Sequence, residues 1–129
     1  MNYYFKRILE NKTFDEAVEK VTEELKKEGF GILTVIDVQA TLKKKLNVDF
    51  RNYHILGACN PPFAYRSLQA EAAIGILLPC NVVVRELEDG RIEIDIIDPL
   101  VAMQVVENDA MEAIATEIHD KLEKVANSL

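Results

Sequence analysis

The sequence is poor in the residues that mark flexible linkers, disulfide frameworks and membrane spans. Five glycines and four prolines among 129 residues leave little room for linkers. Two cysteines, Cys59 and Cys80, are too few for a secreted disulfide framework, and both are expected to be thiols. The N-terminal segment lacks the apolar stretch of a signal peptide, and no apolar run is long enough to span a bilayer. We therefore expect a cytoplasmic protein without a membrane partner.

Positive charge is also scarce. Lysine and arginine number 15 against 22 aspartates and glutamates, which gives a formal net charge of −7. A nucleic-acid partner needs a basic surface to offset phosphate repulsion, and the one basic run, residues 43–45, is typical of a solvated helix face. We expect no nucleic-acid partner. Hydrophobic residues make up 49% of the chain, so residues 1–129 are expected to bury one core as a single domain.

Strand and helix patterns alternate through the first half of the chain. The β-branched and aromatic segments that predict strands are residues 3–9, 31–36 and 52–58. Thr13 begins a Thr-x-x-Glu capping box, so a helix should follow it and end at Gly29. Asp37 can cap a second helix that runs to about residue 46, and Asn60 a third that ends before Gly75.

The second half predicts a β-hairpin. Residues 80–87 and 91–97 flank Asp89-Gly90, the signature of a two-residue type I′ turn. With that turn every opposed pair follows one register, which fixes the two faces. The predicted core face consists of Val83, Arg85, Leu87, Ile92, Ile94 and Ile96. The predicted solvent face consists of Glu86, Glu88, Glu93, Asp95 and Arg91.

A long helix is predicted from about Asn108 to the end of the chain. Its core positions recur at helical spacing and are Met111, Ile114, Ala115, Ile118, Leu122 and Val125. The element order is then βαβαβαββα. This order predicts an α+β fold with a mixed, largely antiparallel sheet of about five strands and helices packed on it.

Thiol chemistry is the first candidate for function. Cys59 lies where a strand leads into a helix N-terminus, whose dipole and free N–H groups stabilise a thiolate. The hairpin register places Asn81 opposite Asp98, so Cys80, Asn81 and Asp98 would form a polar cluster at the hairpin base. Cys59 and Asn60 lie beside that base if the third helix returns the chain antiparallel. They lie at the opposite end if it crosses over to a parallel strand, and both arrangements remain open.

Other chemistry-bearing residues are few. In the antiparallel arrangement two thiols could bind a soft metal such as Zn²⁺ or Cu⁺ or form a redox pair, but they lack the close spacing of a zinc knuckle. Glu71 is a candidate for acid–base chemistry because its helix is otherwise apolar. His54 and His119 are expected to be structural. No phosphate loop, nucleophile elbow or His-Glu-x-x-His motif occurs.

The motifs around both cysteines resemble a known family. The run Tyr53-His54-Ile55-Leu56-Gly57-Ala58-Cys59-Asn60-Pro61, then Ala64, and the run Leu78-Pro79-Cys80-Asn81-Val82-Val83-Val84 are similar to the family catalogued as domain of unknown function 302. The resemblance covers nearly the whole chain and implies a small mixed α+β fold, typically homodimeric, without implying a reaction. The family's recurring residues correspond here to Cys59, Asn60, Pro61, Pro79, Cys80 and Asn81.

Three hypotheses follow. The first is a non-enzymatic homodimeric module that binds a small ligand or a metal ion; its candidate site residues are Cys59, Asn60, Cys80, Asn81, Glu71 and Asp98. The second is a thiol-dependent redox or hydrolytic enzyme, with Cys59 as nucleophile and Glu71 or His54 as proton acceptor. The third is a structural module in which apolar hairpin and strand residues form a dimer interface and the cysteines only fill space.

Overall fold

The chain folds into a five-stranded antiparallel sheet with helices packed against it. A computed structural model describes residues 2–129. The strands and helices are β1 (Tyr4–Leu9), α1 (Phe14–Lys27), β2 (Gly31–Asp37), α2 (Val38–Leu46), β3 (Tyr53–Cys59), α3 (Pro61–Ala70), β4 (Cys80–Glu86), β5 (Ile92–Ile97), α4 (Pro99–Ala102) and α5 (Asp109–Asn127). The predicted α+β class and the five strands are confirmed, and α4 is an additional short helix.

Strand order decides where the two cysteine motifs lie. The sheet has the order β1-β5-β4-β3-β2, and each neighbouring pair is antiparallel. The third helix therefore returns the chain antiparallel, and Ala58 of β3 lies opposite Cys80 of β4. This is the first of the two arrangements that the sequence left open. It leaves β2 at one edge of the sheet and β1 at the other.

Local capping signals fix both ends of α1 and the start of α2 as predicted. Thr13 Oγ1 accepts a hydrogen bond from the Glu16 amide at 3.1 Å, and Glu16 Oε1 accepts one from the Thr13 amide at 2.9 Å. Gly29 has a φ of +87°, a left-handed conformation that favours glycine after a helix. Asp37 Oδ1 accepts a hydrogen bond from the Ala40 amide at 2.9 Å and caps α2.

The β4–β5 hairpin corrects the predicted register. The Gly90 amide donates to Leu87 O at 3.0 Å, and the Leu87 amide donates to Arg91 O at 2.8 Å. The loop thus contains three residues, with Gly90 left-handed at a φ of +87°. One extra loop residue shifts the register by one, so Arg85 lies opposite Glu93. The predicted core face of β5 is confirmed, because Ile92, Ile94 and Ile96 are buried. The predicted face of β4 was wrong: Val83 and Arg85 share a face with Glu93 and Asp95.

The core lies between the sheet and helices α1 and α5. The sheet side of this core is formed by the fully buried side chains of Leu56, Val82, Val84, Ile92, Ile94 and Ile96. The predicted stripe of α5 is confirmed, because all six of its positions are buried. The third helix ends earlier than predicted, at Ala70, and a 3-10 turn spans Ala72–Leu77. No helix within residues 2–129 is both long and apolar enough to cross a membrane.

Candidate functional site

A cavity of about 290 Å³ lies between the first half of α3 and the adjoining ends of β3 and β4. Both cysteines and Asn60 line it, so the two motifs meet at one place. Its walls also include Phe30, from the segment before β2, and Phe63 of α3. The surface exposed inside the cavity is almost entirely apolar. The predicted polar site is therefore an apolar cavity with thiols in its wall.

The two thiols differ in environment. Cys59 is partly exposed and Cys80 is buried, and both are free. Burial raises the pKa of the Cys80 thiol to about 11, and the nearby Cys59 adds to the rise. Cys80 therefore remains protonated at neutral pH, and a protonated thiol is a poor nucleophile. Within residues 2–129 no three His, Cys, Asp or Glu side chains are grouped as metal ligands.

Asn60 occupies the N-cap position of α3 without capping it through its side chain. Instead its Nδ2 donates to the carbonyl oxygen of Glu28 at 3.2 Å. A Cβ on Gly29 would lie 3.0 Å from the same Nδ2, so the absence of a side chain there leaves room for this contact. The predicted side-chain cap was thus wrong. Asn60 ties the end of α1 to the start of α3 and holds one wall of the cavity.

Asn81 and Asp98 do not line the cavity that contains both cysteines. Asn81 follows Cys80 in β4 and points to the opposite face of the sheet, because side chains alternate along a strand. Asp98 Oδ1 lies 2.7 Å from His119 Nδ1 and accepts a hydrogen bond from the Leu100 amide at 3.0 Å. Asp98 therefore caps α4 and links it to α5. The predicted pairing of Asn81 with Asp98 is wrong because the three-residue loop shifts the register of the hairpin by one residue.

The structure does not bring the two proposed proton acceptors to Cys59. Glu71 lies beyond the far end of α3, a helix whose ten residues span about 15 Å. Its Oε1 accepts a hydrogen bond from Asn108 Nδ2 at 3.4 Å. His54 lies five positions before Cys59 on β3, about 16 Å away along the strand. Neither residue lines the cavity.

His54 instead belongs to the packing between α1 and the sheet. Its Nε2 lies 3.6 Å from Asp37 Oδ2, and its ring meets the ring of Phe14 edge-on with centroids 4.8 Å apart. Its Nδ1 is buried and has no hydrogen-bond partner within residues 2–129. The ring therefore packs as an apolar group on one side and pairs with a carboxylate on the other, in keeping with the structural role expected for it.

A charged cluster on the other face of the sheet was missed by sequence reasoning. Arg85 Nη2 lies 2.5 Å from Glu93 Oε2, and Arg85 Nε lies 3.2 Å from Asp95 Oδ2. Burial and the neighbouring Glu93 raise the pKa of Asp95 to about 6, although Arg85 opposes the rise. Burial also disfavours ionised Glu93, but hydrogen bonds from Asp95 and Arg85 outweigh it and lower the pKa of Glu93. A three-residue hairpin loop would have predicted this cluster from the sequence, because that loop length places Arg85 opposite Glu93.

Comparison with known proteins gives matches that extend over nearly the whole chain. Residues 5–129 match the family described as Domain of unknown function DUF302. The chain belongs to this family. It is similar to an uncharacterized conserved protein DUF302 from Bacillus stearothermophilus, with 30% identity, a TM-score of 0.85, and coverage of 96% of this chain and 97% of that one. No curated protein matches the chain. The resemblance found from the cysteine motifs is thus confirmed.

The DUF302 motifs are closely packed where they meet. A Cβ on Gly57 would overlap Thr34 Oγ1 and would lie 2.9 Å from Pro79 Cγ. Gly57 therefore allows β2 and Pro79 to approach β3 at the position next to Ala58. Since Thr34 and Pro79 also line the apolar cavity, this close approach helps to set the cavity's shape.

Proposed function

We propose that this DUF302 domain is a binding module that takes a small apolar molecule into the cavity beside Cys59 and Cys80. The observation that carries the proposal is the cavity's apolar lining. A volume of about 290 Å³ is close to the lower end of ligand sites, which suits a guest of one or two rings. Water finds few hydrogen-bond partners on such walls, so an apolar guest displaces it at little cost.

The same geometry favours an apolar molecule over a soft metal ion. Cys59 and Cys80 are the two thiols of the cavity, and Cys80 would have to lose a proton that burial holds tightly. The polar side chain of Asn60 is already engaged with the Glu28 carbonyl. A metal ion would therefore find too few available ligands in this wall, whereas an apolar guest needs none.

We further propose that the module is a homodimer joined through β2. Leu33, Val35 and Ile36 on this edge strand are 68%, 56% and 49% exposed. An apolar edge strand with free backbone groups is a template for pairing with another strand, and no lysine or proline protects it here. Its register with β3 shifts between Ile32 and Thr34, so the regular part available for pairing is residues 34–37. A second copy can pair its own β2 antiparallel about a two-fold axis and extend the sheet. Leu33 also lines the apolar cavity, so the second copy would lie near its mouth.

Indole is a suitable probe for the cavity, because the chain contains no tryptophan and indole fluorescence has little protein background. We expect saturable indole binding that weakens at least about tenfold in Ala64→Phe, which fills the cavity from α3. Ala113→Phe adds the same ring at an exposed position of α5 and should bind as wild type does. Absence of saturable binding to wild type, or equal binding by Ala64→Phe, would overturn the proposal. If Ala64→Phe does not fold, protection of Cys59 from iodoacetamide by indole in wild type gives the same test.

Sedimentation tests the dimer separately. Wild type should sediment as a dimer at micromolar concentration, and Val35→Lys should sediment as a monomer because a charged side chain on an edge strand opposes pairing. Lys45→Val serves as a control for a change of charge outside the sheet. A monomeric wild type would refute the dimer and leave the cavity proposal standing.

A further inference from the structure

The face of the sheet opposite the cysteine cavity holds an imbalance of buried charge. Glu93 and Asp95 share one guanidinium, that of Arg85. Their side chains are only 5% and 16% exposed, so solvent compensates little of the excess negative charge. Asp95 Oδ1 is buried and has no hydrogen-bond partner within residues 2–129. A buried carboxylate oxygen without a donor is unusual and calls for an explanation.

An adjoining cavity supplies a place for a ligand. It has a volume of about 330 Å³, and Arg85 and Asp95 lie in its wall. Three tyrosines, Tyr3, Tyr4 and Tyr53, also line it. The rings of Tyr3 and Tyr4 meet edge-on with centroids 4.9 Å apart. Aromatic faces attract cations through their quadrupole, and partial burial strengthens that attraction.

We propose that this outer-face cavity binds a small organic cation, a primary amine whose ammonium group contacts Asp95 while its carbon skeleton lies against the tyrosines. The ammonium adds a second positive charge beside that of Arg85 and donates N–H groups to the exposed part of the Asp95 carboxylate in the cavity wall. An anion is disfavoured, because Arg85 is already engaged by two carboxylates. A neutral molecule of the same shape leaves the excess charge uncompensated. This inference is independent of the apolar cavity on the other face.

The surrounding charges give the binding a pH dependence. The groups that face Asp95 are Arg85 on β4, Glu93 on its own strand and Lys6, which lies opposite it on β1. Lys6 is exposed and makes no ion pair within 4.0 Å among the residues described. Without a ligand, a proton offsets the excess charge, which accords with an Asp95 pKa of about 6. The amine competes with that proton, so its affinity should fall about tenfold between pH 7.5 and pH 5.

Benzylamine tests the proposal by calorimetry and by the ring signals of the tyrosines. We expect saturable binding at pH 7.5, at least about tenfold tighter than that of benzyl alcohol, which has nearly the same shape and no charge. Asp95→Asn should lose at least about tenfold in affinity, and Tyr53→Leu should also weaken binding. Asp49→Asn removes a carboxylate that is 96% exposed and should bind as wild type does.

Three results would overturn the proposal. The first is no saturable binding of benzylamine to wild type at pH 7.5. The second is equal affinity for benzylamine and benzyl alcohol, which would make the cavity an apolar site without charge recognition. The third is unchanged affinity in both Asp95→Asn and Tyr53→Leu, which would place the amine elsewhere. Indole binding by the same samples reports on the apolar cavity, so failure of one site is distinguishable from failure of the other.

Discussion

Replacing Asp95 with asparagine should stabilise the protein at neutral pH. Asparagine has nearly the same shape, and its amide can donate to Glu93 while its oxygen accepts from Arg85 Nε. The substitution therefore keeps the contacts of the cluster and removes the repulsion between two carboxylates. In most clusters the loss of a partly buried ion-pair partner is destabilising, so an increase in stability would be a specific sign of excess negative charge.

The magnitude follows from the pKa of Asp95. Its rise from 3.8 to about 6 means that keeping the group ionised destabilises the folded state by roughly 3 kcal/mol. Because the pKa of Asp95 is higher in the folded state than in the unfolded state, binding of a proton to Asp95 stabilises the fold. This stabilisation is fully present below about pH 4 and is lost as the pH rises through 6. The neutral amide gives up part of the attraction to Arg85, so we expect a net gain of about 1–2 kcal/mol at pH 7.5. Glu93, whose pKa is lowered, adds an opposite dependence as the pH falls below about 4.5.

Urea denaturation followed by circular dichroism between pH 4.5 and pH 8 measures this effect. The difference in free energy of unfolding between Asp95→Asn and wild type should increase with pH and level off above about pH 7. Asp49→Asn, at a side chain that is 96% exposed, should track wild type within about 0.5 kcal/mol at each pH. A difference that does not change with pH, or a variant less stable than wild type at pH 7.5, would refute the reasoning. Carboxyl carbon shifts from NMR would then show which group titrates.

Two further predictions concern the cysteine motifs. Gly57→Ala should lower the free energy of unfolding by about 2 kcal/mol or more, because its Cβ would lie 2.9 Å from the rigid ring of Pro79. Gly31→Ala, whose Cβ meets nothing within 4 Å, is the control in the same denaturation experiment, and equal effects would contradict the packing argument. Iodoacetamide at pH 8 should modify Cys59 in the folded protein and spare Cys80, whose thiol has a pKa of about 11. Peptide mass spectrometry identifies the modified thiol. Equal labelling of Cys80 before and after denaturation would contradict its buried environment.

Much of the fold could be predicted because its signals are local. The capping box at Thr13 and the left-handed Gly29 each depend on atoms within a few residues. The buried stripe of α5 follows helical periodicity, and all six predicted positions are buried, with Ala126 in addition. The cysteine motifs were sufficient to indicate the family. These features require no knowledge of which strand lies beside which.

The register of the hairpin could not be predicted with the same security, because it depends on the number of loop residues. Asp89-Gly90 fits a two-residue turn, but Glu88 joins the loop and Leu87 pairs with Arg91. A shift of one residue moves the side chains of β4 to the other face relative to β5. Arg85, predicted in the core, is therefore the centre of the acidic cluster. The Asp89-Gly90 dipeptide therefore predicted the hairpin correctly but did not determine which side chains share a face.

The same alternation explains why a single predicted site became two cavities. Cys80 and Asn81 are neighbours in the chain, yet Cys80 lines the apolar cavity and Asn81 lines the tyrosine-walled one on the opposite face. Side chains alternate along a strand, so adjacency in sequence did not place Asn81 in the cysteine cavity beside Cys80. Cys59 and Cys80, far apart in sequence, share a cavity because β3 and β4 are antiparallel neighbours. In this domain strand pairing, more than motif adjacency, therefore determines which residues can act together.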